Sequence, residues 1–348
     1  MVVSYKCPQC GAPMMFDPES GKLSCDHCGC VTTVEELEQN PKEDVAFTSA
    51  PGSSLSSTKD SFKVYRCKNC GAEMLTDENT TATVCVFCGT PGLMEDRLSG
   101  ENRPTLVIPF KLTRQQAIES FREWSKGVFL TPRNFLAAST MEKLTGVYVP
   151  FWLHDYDTHI RLDAHCTRTR HRRAGDTEYI YTDHYNVLRD MDVAYSRIPT
   201  DASEKMEDST MELLEPYDYS ELVRFEMPYL SGFLSERYTY TADEMEGRAR
   251  NRARQFAETT ARGSISGYES TNIVNQQISF RKLNEEYVLL PVWMLNYRFQ
   301  GEDHLLAING QTGKRVGTLP VDKGRARSIF WGIGAAVFVG ASLLMALL

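Results

Sequence analysis

The run Val147-Tyr-Val-Pro-Phe-Trp-Leu-His-Asp-Tyr156 returns at a constant offset of 141 as Val288-Leu-Leu-Pro-Val-Trp-Met-Leu-Asn-Tyr297, with proline, tryptophan and tyrosine in register. Both copies are rich in the β-branched and aromatic residues that suit a pleated, half-buried strand. A proline inside such a run lacks one ladder donor, so each copy is expected where a strand enters a sheet, or at a bulge or edge. The repetition predicts an internally duplicated domain over residues 104–322. Shorter echoes occur at Ile108-Pro109-Phe110 and Met227-Pro228-Tyr229.

The flanking sequence supplies the other elements. Thr113 with Gln116 has the spacing of a capping box and predicts a helix to about Lys126, stopped by Gly127, with Ile118, Phe121 and Trp124 as its core stripe. Alternation through Ile160, Leu162, Ala164 and Cys166, a turn near Gly175 and further strand-like segments to Ile198 predict an antiparallel meander. Ala202 to Leu214 reads as a helix, and Thr241 or Asp243 as the start of a longer one reaching about Thr260. Asn309-Gly-Gln-Thr-Gly313-Lys314 reads as a hairpin loop between two strands. The predicted class is α+β, with antiparallel sheets and packed helices.

Ahead of this domain lies a second repeat. Cys7, Cys10, Cys25 and Cys28 are followed by Cys67, Cys70, Cys85 and Cys88 with the same internal spacings, and Gly11, Gly29, Gly71 and Gly89 each follow the second cysteine of a pair. Four thiolates from two such turns form the tetrahedral set that suits a closed, structural Zn²⁺ site. Two zinc ribbons are therefore expected, at 1–34 and 63–98, each depending on its ion because so short a segment buries little core. Iron in a rubredoxin-like site and a redox-active disulfide are the alternatives. His27 lies between two ligands and is expected at the surface. Cys30 could replace Cys28, but the second module has Thr90 at that position, which favours Cys28.

Residues 35–62 are rich in Ser, Thr, Pro and Gly and read as a flexible linker. The first hundred residues hold eight Lys and Arg against fourteen Asp and Glu, within a chain of net charge -8. Thiolate sites add negative charge, so the modules argue against reading a phosphate backbone and for facing proteins or being structural. The opening of the chain has no signal-peptide pattern, and paired cysteines beside glycine suit a reducing compartment better than disulfides.

Ile329 to Leu348 carries no charge, and Lys323, Arg325 and Arg327 precede it. Twenty such residues predict a transmembrane helix about 30 Å long. The basic flank predicts a tail-anchored, single-pass protein of the cell membrane with its bulk in the cytoplasm.

For catalysis the one candidate region is 154–165, where His154, Asp155, Asp157, His159, Asp163 and His165 cluster in sequence. Strand alternation puts Asp157, His159, Asp163 and His165 on one face, the arrangement a metal-dependent hydrolase could use. No phosphate-binding loop, serine elbow or His-Glu-x-x-His motif occurs, and no catalytic residue or small-molecule substrate is expected.

The knuckles Cys7-Pro-Gln-Cys10-Gly11 and Cys67-Lys-Asn-Cys70-Gly71, with Leu290-Pro-Val-Trp293, Ala307-Ile-Asn-Gly-Gln-Thr-Gly313-Lys314 and Leu319-Pro320, carry a further likeness. The chain resembles bacterial TFIIB-type zinc-ribbon-containing membrane proteins over nearly its whole length. That resemblance implies eight cysteine ligands and a membrane-anchoring tail. It implies a non-enzymatic adaptor or scaffold in an envelope-stress assembly, with a flotillin-like (SPFH) or phage-shock-type coat protein as partner. A regulator that binds nucleic acid through the ribbons is the remaining alternative.

Overall fold

The computed structural model describes residues 2–39, 43–56, 61–127, 130, 132, 143–206, 208–299, 302–319 and 321–347. The N-terminal part contributes β1 (Val2–Tyr5), β2 (Met15–Asp17), β3 (Lys22–Ser24), β4 (Val31–Thr32), α1 (Val34–Gln39), β5 (Glu43–Ser56), β6 (Ser61–Cys67), β7 (Glu73–Thr76), β8 (Thr80–Val84) and β9 (Pro91–Met94). The remainder contributes β10 (Leu106–Val107), α2 (Arg114–Gly127), β11 (Thr145–Ala174), β12 (Thr177–Asp201), α3 (Asp208–Leu214), β13 (Val223–Arg224) and β14 (Leu234–Glu236). After these come α4 (Ala242–Gly263), β15 (Ser270–Phe299), β16 (Glu302–Asn309), β17 (Arg315–Gly317) and α5 (Lys323–Leu347).

Among the described residues β2, β3 and β4 form a small sheet, and the other strands form one large sheet that passes from β13, β10, β15 and β11 through β14 into β8, β9, β1, β5, β6 and β7. The sheet is mixed. β10 runs parallel to β15 and β14 runs parallel to β11, which corrects the expectation of antiparallel pairing alone.

The two proline-containing runs lie beside each other. Tyr148 is opposite Pro291 and Pro150 is opposite Leu289, so each proline faces the residue two positions before the other in the repeat. This is the pairing a local twofold produces. The Pro150 carbonyl accepts from Ala202 N–H at 3.0 Å and the Pro291 carbonyl from Gly310 N–H at 2.8 Å. Each proline's missing donor therefore points to the outer side of its strand. There Pro150 falls between the last β14 partner, at Tyr148, and the first β12 partner, at Phe151; Pro291 falls likewise between β10 and β16. The rule against proline in central strands is met by placing it where the neighbouring strand changes.

The twofold relation extends to the packing. The indole of Trp152 donates to the Tyr240 carbonyl and that of Trp293 to the Leu112 carbonyl, each at 2.9 Å. Tyr238 lies 5.1 Å from Trp152, and Phe110 lies 5.0 Å from Trp293. One residue after each of those carbonyls comes a capping box, Thr241 with Glu244 for α4 and Thr113 with Gln116 for α2. The repeated unit is thus strand, capped helix, long strand, return strand. The equivalent of Leu106 is Leu234, so the echo at Met227-Pro228-Tyr229, a 3₁₀ turn, is not part of the repeat.

α4 lies across one face of the long β11, β12 and β15 ladder. Ala249, Ala253, Ala257 and Ala261 recur every four residues on one stripe and are buried against Tyr156, Ile160, Leu162 and Ala164. Small side chains let the helix approach the sheet closely. The helix expected from Ala202 is shorter and begins at Asp208.

Two further expectations need correction. The proposed linker at 35–62 contains α1 and β5, and β5 pairs with both β1 and β6; residues 40–42 and 57–60 lie outside the described set. Backbone pairing does not depend on side-chain polarity, so the Ser- and Gly-rich composition misled.

The second correction concerns the tail: among the described residues no helix is long and apolar enough to cross a membrane. α5 exposes Phe330, Trp331, Val337 and Phe338. Leu348, and the side chains at 343, 344, 346 and 347, fall outside the described residues. No described helix supports the transmembrane element expected at 329–348.

Candidate metal centre

Each four-cysteine cluster is built by two tight turns. In the first, the amides of Gly11 and Gly29 donate to the Cys7 and Cys25 carbonyls; in the second, those of Gly71 and Gly89 donate to Cys67 and Cys85. These four glycines have φ between +70° and +77°, a region costly for any side chain. The turns bring both thiols of each pair to one point. Cys7 and Cys28 sulfurs are 3.5 Å apart, as are Cys10 and Cys25, while Cys67–Cys88 and Cys70–Cys85 are separated by 3.7 and 3.6 Å.

All four sulfurs of each cluster lie within 4.8 Å of one another, and all eight cysteines are unbridged. Disulfides require about 2.05 Å. A tetrahedral ion with bonds near 2.3 Å places its sulfurs about 3.8 Å apart, so the observed separations match a shared metal. These clusters can coordinate a metal ion.

The electrostatics suit such an ion. Burial raises the Cys7 thiol, yet the Cys10 and Gln9 amides and neighbouring thiols bring it down to about 6. Cys88 reaches about 6 against the same burial, with Thr90 and Asn69 among its donors. The Cys30 amide favours the Cys28 thiolate, but crowding by Cys10, Cys7 and Cys25 together with burial pushes its thiol up to about 12. Cys70 behaves in the same way, with Cys88 as the main repulsive neighbour. One thiolate forms readily in each cluster and opposes the next; a dication would remove that opposition.

Each module is anchored differently. The first packs Cys7, Met14, Phe16, Leu23 and Cys25 into the core cluster that includes Phe225, Met227 and Leu230. Ser231 bridges it, donating to the Met14 carbonyl at 2.6 Å and accepting from Phe16 N–H at 2.9 Å. The second joins the large sheet directly, through β8 on β14 and β9 on β1. Asn79 further ties it to Arg237 and Thr239. His27 is exposed, and Cys30 stays outside the four-sulfur set. One contributor escaped the sequence reading: Thr90 Oγ1 lies 3.1 Å from both Cys88 Sγ and the Asn69 amide. A hydroxyl two residues after a ligand was the available signal.

The histidine and aspartate region does not converge. His154 is buried, bonded to Thr200 and held below its usual range first by burial and then by the Lys282 charge. Asp157 pairs with Arg281, His159 with Asp190 and Asp192, and His165 bonds to Asn186. His159 and His165 share a face but sit about 20 Å apart along the strand. Among the described residues the two cysteine sets are the metal-binding clusters found. Arg170 pairs with Asp183, Arg248 with Asp208 and Glu212, and Arg252 with Glu215.

A protein 41% identical over 343 residues, spanning 99% of this chain and 97% of its own length, is the uncharacterized protein YdjG of Bacillus subtilis (strain 168). The chain belongs to the YdjG family. No family model matches it, and no solved structure matches it. The resemblance to a membrane-protein family is corrected on the same ground as the tail, since no described helix can span a bilayer. The membrane-tethered adaptor reading falls with it. So do the bilayer contact, the single-pass location at the cell membrane, and the flotillin-like and phage-shock-type partners that depended on that reading.

Proposed function

We propose that this member of the YdjG family is a zinc-binding protein in which Cys7, Cys10, Cys25 and Cys28 hold one Zn²⁺ and Cys67, Cys70, Cys85 and Cys88 hold a second, both structural. The supporting observation is the convergence of four unbridged sulfurs in each cluster. Four thiolates fill a tetrahedral shell and leave no position for a water or substrate, which separates these sites from catalytic zinc. Residues 1–34 and 63–98 are then two metal-stapled modules, and 104–322 is a duplicated domain that they brace. The ions hold β1, β8 and β9 in the shape that joins the large sheet.

Metal analysis of the purified chain tests this. Two zinc ions per chain are expected, falling to one when Cys85 and Cys88 are replaced by serine. Bound iron, or a content unchanged by that replacement, would refute the assignment.

A further inference from the structure

Over 270–286 the inner side of β15 is paired with β11, while its outer side has no partner among the described residues. β10 meets that side only at Val288 and Leu289, and β16 only from Val292 onward. At about 3.3 Å per residue this open edge is about 56 Å long. It is also unprotected. From Ser270 to Phe280 it holds no charged residue and no proline, the devices by which exposed edges ordinarily avoid other strands. Two register irregularities occur along it, but pairing with β11 continues through both, so they do not end the strand.

The side chains along this edge are incompletely covered. Ile273, Ile278 and Phe280 lie half-buried at the margin of the apolar layer under α4, and Val274 and Leu283 are 58% and 51% exposed. The charge balance indicates what fits beside them. Arg281 and Lys282 offset Glu285 and Glu286, so the segment 270–286 is neutral. The other open edge, β12 over 177–196, sets Glu178, Asp183, Asp190 and Asp192 against Arg189 alone, and two such edges repel. An antiparallel copy of β15 centred on Ile278 puts Ile278 beside itself and Ile273 beside Leu283. The same register places each of the four charged residues opposite an uncharged one. At a depth of about 10 Å, two such edges bury on the order of 1,100 Å², above the roughly 1,000 Å² expected of a specific interface.

We infer that the 270–286 edge of β15 joins the same edge of a second copy of this chain, making one continuous sheet across a twofold axis. Such a contact is isologous and closes at two copies. The inference does not depend on which metal the cysteine clusters hold.

Sedimentation equilibrium of the full metal-loaded chain tests it, with variants at Gln277 and Ser279, exposed residues that the register places opposite each other. The parent is expected to be a dimer. Gln277→Glu combined with Ser279→Glu sets like charges across the axis twice and should weaken the dimer at least about tenfold. Gln277→Lys combined with Ser279→Glu makes both contacts complementary and should restore it. A parent that is monomeric at micromolar concentration, or that grows into open filaments, overturns the inference. So does a dimer unaffected by the paired glutamates, which would place the contact elsewhere, such as on the exposed apolar side chains of α5. Dissociation by the glutamate pair without rescue by the lysine variant overturns it as well. Should the glutamate pair not give the parent's circular dichroism, Gln277→Lys with Ser279→Lys takes its place with the same expectation.

Discussion

Stripping the metal with a strong chelator should release residues 2–39 and 61–98 from the structure while the β11, β12 and β15 ladder stays folded. The second module's own apolar cluster is small: Val2, Ala46, Phe47, Cys67, Met74, Cys85 and Met94, two of them from the four-cysteine set. Structural zinc contributes on the order of 10 kcal/mol to modules of this kind, comparable with the whole stability of a typical domain. The long ladder needs no such help, because β11 pairs without interruption by loops over 145–167 with β15 and over 151–174 with β12. Hydrogen exchange followed by mass spectrometry should show protection collapsing in both cysteine modules and persisting in 145–174 and 270–299. The junctions at β8–β14 and Ser231–Met14 should loosen with the modules. Unchanged protection near the cysteines would mean that the ions are dispensable.

The second large effect concerns Asp201, which the twofold relation makes the counterpart of Asn309. Both side chains accept an amide two residues ahead, Ser203 N–H at 3.0 Å and Gln311 N–H at 2.9 Å. Asn309 then uses its amide to donate to the Leu214 and Pro216 carbonyls. Asp201 has no donor when ionised, is 2% exposed, and has no hydrogen-bond partner for Oδ2 among the described residues. Burial, and then the Asp208 charge, push its carboxyl up to about 7, despite the Ser203 amide and Arg248.

A value raised above the unfolded one means that the folded chain holds this proton more tightly. The resulting stability is complete below about pH 4, and is lost as pH rises through the folded value near 7. Asp201→Asn should remove that loss. Its advantage over the parent should grow from under about 1 kcal/mol near pH 4 to roughly 4 kcal/mol above pH 7. Urea unfolding across that range measures it. A constant difference between the two proteins would show that Asp201 does not titrate in the fold.

The sequence made some of this legible and concealed the rest for identifiable reasons. The cysteine spacing located both clusters because knuckle turns are local: glycine after the second cysteine, four residues per turn. The two capping boxes were readable one at a time, but their equivalence was not. The helices that follow differ in length, so the offset is 128 between Thr113 and Thr241 and 141 between Pro150 and Pro291. β10 and β14 are too short to have a pattern, which hid the parallel pairings. β5 was concealed by its Ser, Gly and Pro content, and its partners β1 and β6 supply the order that its composition does not suggest. Asp157, His159, Asp163 and His165 do share a strand face, as alternation predicts, but periodicity has no information on spacing along that face or on the partners each residue finds.

Zinc K-edge X-ray absorption of the protein as purified puts the central assignment to its most direct test. Two ions per chain, each surrounded by four sulfurs at about 2.3 Å, is the predicted spectrum. A shell containing nitrogen or oxygen, or an absorption edge belonging to iron instead of zinc, would contradict it.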